Sequence, residues 1–249
     1  MSTNFDGPIA GVLGGMGPLA GAAFLTRLTM LTEAAVDQDH IPVTLWSDPR
    51  VPDRTQARLH GGADPLPWMQ NGIARLEQAG AKIIAIPCNT AHLWYDELVA
   101  SAHVPVLHII ESVVDDLDRR GLAPGPIGLM GTPATLKLGL YQKHLEARGY
   151  QTLLPTDEEI AEFCKPAIDL VKANRVAEAF APAAACIARL QARGAVAVAL
   201  GCTELPLAVP HERREELGVA LTDSIDALAL AVIAWFRQQV QGTSAANAK

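Results

Sequence analysis

The chain has 249 residues, 49% of them hydrophobic and 19% charged, with a formal net charge of −7. A chain of this length forms one or two domains and buries roughly 70–75% of its unfolded surface, so its core needs no disulfide or metal staple. The acidic balance, with no Lys/Arg cluster, argues against nucleic acid and against an anionic membrane surface as partners. The longest strongly apolar run, Ala227 to Phe236, is too short to span a bilayer. The opening MSTNFDGP has neither a basic n-region nor an apolar h-region, so no secretory signal is expected. Four cysteines without a CxxC pair fit a reducing cytoplasm.

In chain order, a strand over 8–13 is followed by a helix over 18–36, a strand over 42–47, a helix over 66–79, a strand over 82–87, a helix over 90–101 and a strand over 104–108. A second series has a helix over 109–121, a strand over 126–131, a helix over 134–148, a strand over 150–154, helices over 157–172 and 176–193, and a strand over 195–200. The strands are short, bounded by Gly or Pro, and mostly apolar without polar alternation, as strands buried on both faces are. Their alternation with helices predicts an α/β fold with parallel sheets and right-handed crossovers. A last helix over 223–240 starts at Thr222-Asp223 and carries Ile225, Leu228, Ala229, Val232 and Phe236 on one face. The small, polar tail 242–249 is expected to fray.

The chain contains a repeat. Residues 73–88 (IARLEQAGAKIIAIPC) align without a gap on 187–202 (IARLQARGAVAVALGC), with eight of sixteen pairs identical, Cys88/Cys202 among them. GPI-AGVLG (7–14) and GPI-GLMG (125–131) open the two copies alike. The repeat predicts one domain over 1–108 plus 217–249, to which the last helix returns, and a second over 109–216. It sets two thiols on opposite sides of a cleft, the arrangement wanted by chemistry that needs an acid on one face of a ligand and a base on the other.

Each cysteine ends a strand and opens a helix, where parallel α/β sheets bind their ligands. Free N–H groups and the helix dipole there are expected to lower a thiol pKa from about 8.5. The same N–H groups, with Asn89, Thr90 and Thr203, can hold a carboxylate. Buried structural cysteines, a disulfide, or a zinc or Cys–His pair using Cys88 and His92 are the competing readings, and no compact ligand set supports zinc. Cys164 and Cys186 fall inside helical patterns and read as core. Gly15-Met16-Gly17-Pro18-Leu19-Ala20 fits G-x-G-x-x-A, but Ser47-Asp48 lies about 30 residues on, not the roughly 20 of a dinucleotide fingerprint. The glycines read instead as a loop approaching a small anion. Arg50 and Arg54, in a Pro-rich loop on the same strand-end face, are candidate carboxylate clamps or plain solvated arginines.

Over about 7–240 the chain resembles the aspartate/glutamate racemases, which need no cofactor. The motifs are Gly14-Gly15-Met16-Gly17-Pro18, Pro52-Asp53-Arg54-Thr55, Pro87-Cys88-Asn89-Thr90-Ala91-His92, Gly131-Thr132-Pro133-Ala134-Thr135 and Gly201-Cys202-Thr203-Glu204, in this order. The resemblance implies two pseudo-symmetric flavodoxin-like domains, a homodimer, an amino-acid substrate, no pyridoxal phosphate or metal, and Cys88 and Cys202 as the acid/base pair. It implies that Arg54 binds the substrate side-chain carboxylate and that Lys172 is a second carboxylate contact, with Met16 and Glu204 at the same site. Asn89, Thr90, Thr132 and Thr203 are the candidate donors to the enolate-like charge that forms when Cα loses its proton. Ala20-Gly21, where relatives carry Ser or Thr, bears on substrate range. The alternatives are a maleate cis–trans isomerase or hydantoin racemase and, from another class, an amino-acid binding protein.

Overall fold

The structure, a computed structural model, describes residues 7–122 and 125–246. The first half consists of β1 (Ile9–Gly14), α1 (Pro18–Leu31), β2 (Val43–Ser47), α2 (Arg54–His60), α3 (Leu66–Gln78), β3 (Ala81–Ala85) and α4 (Tyr95–Ser101), and α5 (Ile109–Arg119) leads out of it. There follow β4 (Pro126–Gly131), α6 (Pro133–Lys137), α7 (Gln142–Ala147), β5 (Gln151–Leu153), α8 (Asp157–Glu159), α9 (Lys165–Lys172), α10 (Val176–Ala192), β6 (Ala197–Gly201), α11 (Leu205–Ala208), β7 (Ala220–Asp223) and α12 (Ser224–Ala246). Two sheets result, of order β2-β1-β3 and β5-β4-β6-β7, and every pairing is parallel. This is the expected α/β class.

The sheets are joined by one shared core. Ala10, Val12 and Ile83 of the first sheet and Ile127, Leu129 and Ala199 of the second bury against α1, α5 and α12 through Phe24, Leu28, Ile109, Val113, Leu228 and Val232. The sequence of α5, IIESVVDDLDR, explains its place. Its apolar side chains fall on one face and are buried, while Glu111, Asp115 and Asp118 face out. Each large side chain buried this way contributes about 1.5–3 kcal/mol. Asp116, also buried, accepts from Arg119 Nη2 at 2.6 Å and from Thr222 Oγ1 at 2.7 Å, and pairs with Arg120 Nε at 2.7 Å, tying β7 to α5. α12 packs on both α1 and α5.

Several elements differ from the sequence reading. The strand expected at 104–108 is a single bridge between Ile84 and Val106. Ile84 N–H donates to Pro105 C=O at 2.8 Å and Leu107 N–H to Ile84 C=O at 2.9 Å, but Pro105 has no N–H with which to extend the ladder. The helix expected over 134–148 is split into α6 and α7 around Gly139, at φ +68°. α1 stops at Leu31, and Thr32, in extended conformation, folds its hydroxyl back on Leu28 C=O at 2.7 Å. The expected helix 157–172 contains a π turn, Ile160–Cys164. The short elements α2, α11 and β7 were not expected. β7 lies past residue 216, where the sequence reading ended the second half. α12 runs to Ala246, so part of the tail expected to fray is helical, and residues 247–249 lie outside the described region.

Candidate active site

The loop after β1 is shaped by Gly15, at φ +93°, where a Cβ would lie 2.4 Å from the backbone of Asp48. This close approach brings Met16 C=O against α2. Asp53 caps α2, its Oδ1 accepting from Gln56 N–H at 2.8 Å, and Arg54 is the first helical residue. Arg54 is buried. Its Nη1 donates to Pro52 C=O at 3.1 Å and Val51 C=O at 3.3 Å, and its Nη2 to Met16 C=O at 3.1 Å. Its Nε–H is buried without a partner among the described residues. A guanidinium fixed by backbone carbonyls with a donor to spare is prepared for an anion. Arg50 is different. It is exposed and already paired with Asp48, Nε to Oδ1 and Nη2 to Oδ2 both at 2.8 Å.

Cys88 follows β3 and Cys202 follows β6, and both are buried free thiols. After Cys88 the chain makes a 3₁₀ turn, Thr90–Trp94. His92 there accepts from Ile109 N–H at Nε2, 3.1 Å, so its Nδ1 carries the proton and donates to Cys88 C=O at 3.0 Å. Burial lowers its pKa to about 4. Both ring nitrogens serve the backbone, which excludes the zinc and Cys–His readings for the ring as it stands. Cys202 donates its S–H to Glu204 Oε2 at 2.9 Å. Burial first, and then the Glu204 charge, push the Cys202 thiol well above its ordinary pKa, although Lys172 and the Glu204 N–H act the other way. The expected lowering is therefore reversed at Cys202. The helix that follows it, α11, has only four residues, and its field does not outweigh a buried carboxylate in contact with sulfur. Lys172 is held above its ordinary value: desolvation opposes this, but Cys202, Glu204 and Asp53 prevail.

The candidate donors are mostly engaged with one another. Thr90 and Thr132 hydroxyls stand 2.9 Å apart, and Thr135 lies 3.1 Å and 3.0 Å from them. Thr132 also caps α6 by accepting from Thr135 N–H at 3.2 Å. Thr203 donates to Pro87 C=O at 3.2 Å, across the two halves. Asn89 is clamped at both ends of its amide: Tyr141 OH donates to Oδ1 at 2.6 Å, and Nδ2 donates to Ser224 Oγ at 2.8 Å. Tyr141 and Ser224 were not anticipated: they lie far from Asn89 in sequence and belong to no local pattern. Thr135 stood in the Gly131–Thr135 motif without a role of its own.

Ten of the residues singled out from the sequence line one cavity, Arg50 and His92 standing outside it. Met16, Arg54, Cys88, Asn89 and Thr90 come from the first half, and Thr132, Lys172, Cys202, Thr203 and Glu204 from the second, joined by Asp53 and Thr55. The inner space is only about 10 Å³, room for about one water. It adjoins an outer cleft of about 570 Å³ reaching Pro18, Leu19, Val51 and Asn174. Cys164 and Cys186 are in the core of the second half, with Cys164 Sγ 3.3 Å from Gly131 C=O.

Duplicated parallel sheets, each delivering a thiol to one cavity between cationic and hydroxyl side chains, define a narrow class of α/β protein. The Asp/Glu/Hydantoin racemase family model matches residues 13–232, and the chain belongs to that family. The broad specificity amino-acid racemase RacX of Bacillus subtilis is 29% identical over 150 residues, 57% of this chain and 63% of that one. A glutamate racemase of Aquifex pyrophilus is 31% identical over 163 residues, 63% of this chain and 59% of that one. The match thus spans less than two thirds of either curated relative. Among solved structures, the aspartate racemase of Picrophilus torridus superposes with a TM-score of 0.82 at 32% identity, covering 92% of this chain and 94% of that one.

Proposed function

We propose that this protein is a cofactor-independent amino-acid racemase, acting on aspartate, glutamate or both, in which Cys88 and Cys202 move the protons. The observation that carries the reading is the meeting of two thiols, one from each sheet, at a cavity that also contains Arg54 and Lys172. Family membership and the likeness to an aspartate racemase support the reaction and the acidic substrate.

In this reading one cysteine, as thiolate, takes the Cα proton, and the other, as thiol, returns a proton to the opposite face. The roles exchange for the reverse direction. Positioned acid–base groups of this kind contribute roughly 10²–10⁴-fold each. Cys202, whose proton is held by burial and Glu204, starts as the acid, and Cys88 is then the base. Arg54 pairs with the side-chain carboxylate through its unpartnered Nε–H. Backbone N–H groups and the hydroxyls of Thr90 and Thr132 take the charge that develops on the α-carboxylate, while the Thr203 hydroxyl, donated to Pro87 C=O, ties the two cysteine loops together. Asn89, with both ends of its amide engaged, holds the Cys88 loop in place. The proposal includes domains over 1–108 plus 217–249 and over 109–216, supported by α12 on α1 but amended at β7, which pairs with β6 and so goes with the second domain, together with a homodimer and a cytoplasmic location consistent with four free cysteines.

Chiral chromatography of the purified protein with a panel of L-amino acids tests the function. D-aspartate or D-glutamate should accumulate to equilibrium, and a thiol alkylator should stop this, with substrate protecting. No inversion of any acidic amino acid, or activity indifferent to alkylation, would overturn the reading.

A further inference from the structure

Glu204 has a second oxygen that the proton transfers do not use. Its side chain is 4% exposed, and while Oε2 accepts from Cys202, Oε1 has no hydrogen-bond partner among the described residues. Oε1 lies against the first half, where a Cβ added to Gly17 would stand 3.3 Å from it. The next residue, Pro18, has no N–H to offer. A buried carboxylate oxygen left unpaired is costly, and the matching partner is a cationic donor.

The charges around the cavity show what such a donor would belong to. Arg54 and Lys172 line it as cations. Of the acidic side chains that line it, Asp53 uses its carboxylate to cap α2 and is exposed, which leaves Glu204 as the buried anion. An acidic amino acid carries two carboxylates and one ammonium group, the mirror image of this set.

We propose that Glu204 binds the α-ammonium group of the amino-acid substrate through Oε1 while Oε2 holds the Cys202 thiol, so that one carboxylate joins the ligand to the acid. This rests on the racemase reading above and adds to it the group that distinguishes an amino acid from a plain dicarboxylate. It also couples the two events. An ammonium on Oε1 draws charge from the carboxylate facing Cys202 and weakens its grip on the thiol proton. The other titratable groups facing Cys202 are Lys172, Tyr141 and Cys164, and none of them offers an unpaired carboxylate oxygen.

Calorimetric titration of the full chain with racemic aspartate, which turnover leaves unchanged, and with succinate, which differs by the ammonium alone, tests the assignment. Wild type should favour aspartate. Glu204→Gln should weaken aspartate by at least about 30-fold, as expected when one partner of a buried charge pair is lost. It should leave succinate unchanged or bind it more tightly, because an anion beside a dianion has gone. Glu204→Asp, which keeps the charge but withdraws it, should recover part of the aspartate affinity, and it carries the same contrast where the amide variant does not fold. In a Cys88→Ala background, the pH at which Cys202 becomes alkylated should fall on Glu204→Gln, a shift that a merely structural residue would not produce. Equal changes for aspartate and succinate, or unchanged aspartate affinity, would overturn the assignment and leave the racemase reading standing. Failure of wild type to bind racemic aspartate, racemic glutamate or succinate would overturn that reading and the assignment with it.

Discussion

Thr90 and Glu204 stand at equivalent points of the two halves, each two residues after its cysteine, and they differ in charge. In the first half the thiol is followed by a hydroxyl that joins Thr132 and Thr135, and the loop is pinned by His92 on the Cys88 carbonyl. In the second half the thiol donates to a carboxylate, and the residue equivalent to His92 is Pro206. Duplication has kept a cysteine just past a parallel strand in each half and changed what each sulfur faces. A catalyst that needs an acid and a base at the same moment benefits from environments that push two like groups apart in pKa. The asymmetry also has a direction. In the proposed mechanism Cys202, with its proton held by Glu204, is the thiol that starts loaded.

The most severe way to break this comparison is to remove either sulfur. Cys88→Ala and Cys202→Ala should each lower racemisation by at least about 10³-fold, since a two-base inversion cannot run on one base. Either variant can retain slow solvent-deuterium exchange with one enantiomer only. Deuterium incorporation followed by mass spectrometry on separated enantiomers checks this. Full inversion by either single variant would end the two-thiol mechanism.

Next in size is Arg54. Its guanidinium is positioned by three backbone carbonyls, so little ordering is left to be done on binding. Losing one partner of a buried charge pair costs about 2–5 kcal/mol. Arg54→Ala should therefore lower kcat/KM for aspartate or glutamate by about 30-fold to several thousand-fold, with a much smaller loss for any neutral amino acid turned over. Arg54→Lys should rescue only part, because an ammonium cannot reproduce the fork. Steady-state kinetics with one acidic and one neutral substrate decides it, and equal losses would assign Arg54 to the loop or to the α-carboxylate.

Tyr141→Phe is a smaller test of how the halves are joined. It leaves Asn89 Oδ1 buried without its donor, a loss of about 1–3 kcal/mol in stability. Turnover should drop by no more than about tenfold, since Tyr141 acts through the Asn89 loop and reaches no reacting atom. Urea unfolding together with kcat measures both. Unchanged stability would mean that the Tyr141–Asn89–Ser224 chain does not fix the loop.

Much of the site was legible before the fold was known, and for a definite reason. Cysteine at the end of a buried strand is a local pattern, and the repeat places two of them across a cleft. Strand and helix alternation was local as well, which is why six of the expected strands have observed counterparts in register with a parallel sheet. What could not be read depends on contacts between distant residues. Asn89 looked like a ligand donor, and its partners lie 52 and 135 residues away. A thiol at a helix start suggests a lowered pKa, but the orientation of Glu204 reverses it at Cys202. β7 has only four residues and is recognisable by its pairing with β6. Val106 reads as strand by composition and is stopped by its neighbour Pro105.

Arg50 and Arg54 make the finest comparison, because their sequence contexts are nearly alike and the loop between them is short. Arg50 follows Pro49 and Arg54 stands two residues after Pro52, and both were candidate clamps. The difference lies in what their neighbours demand. Arg54 begins α2 and turns inward, where backbone carbonyls hold it and its Nε–H is left unpaired. Arg50 is two residues from Asp48, close enough for its own carboxylate partner to close a bidentate pair at the surface, and its guanidinium also lies 5.6 Å from the Trp68 ring centroid. A charge already paired in water has little left for a ligand, and exposed pairs contribute little to stability. Arg50→Ala should accordingly leave kcat/KM for an acidic substrate within about twofold of wild type, where Arg54→Ala loses at least about 30-fold. The same kinetic assay, run on the two variants side by side, measures the contrast. A large loss at Arg50 would mean that the loop swings on binding and exchanges Asp48 for the substrate, moving the clamp from the buried arginine to the exposed one.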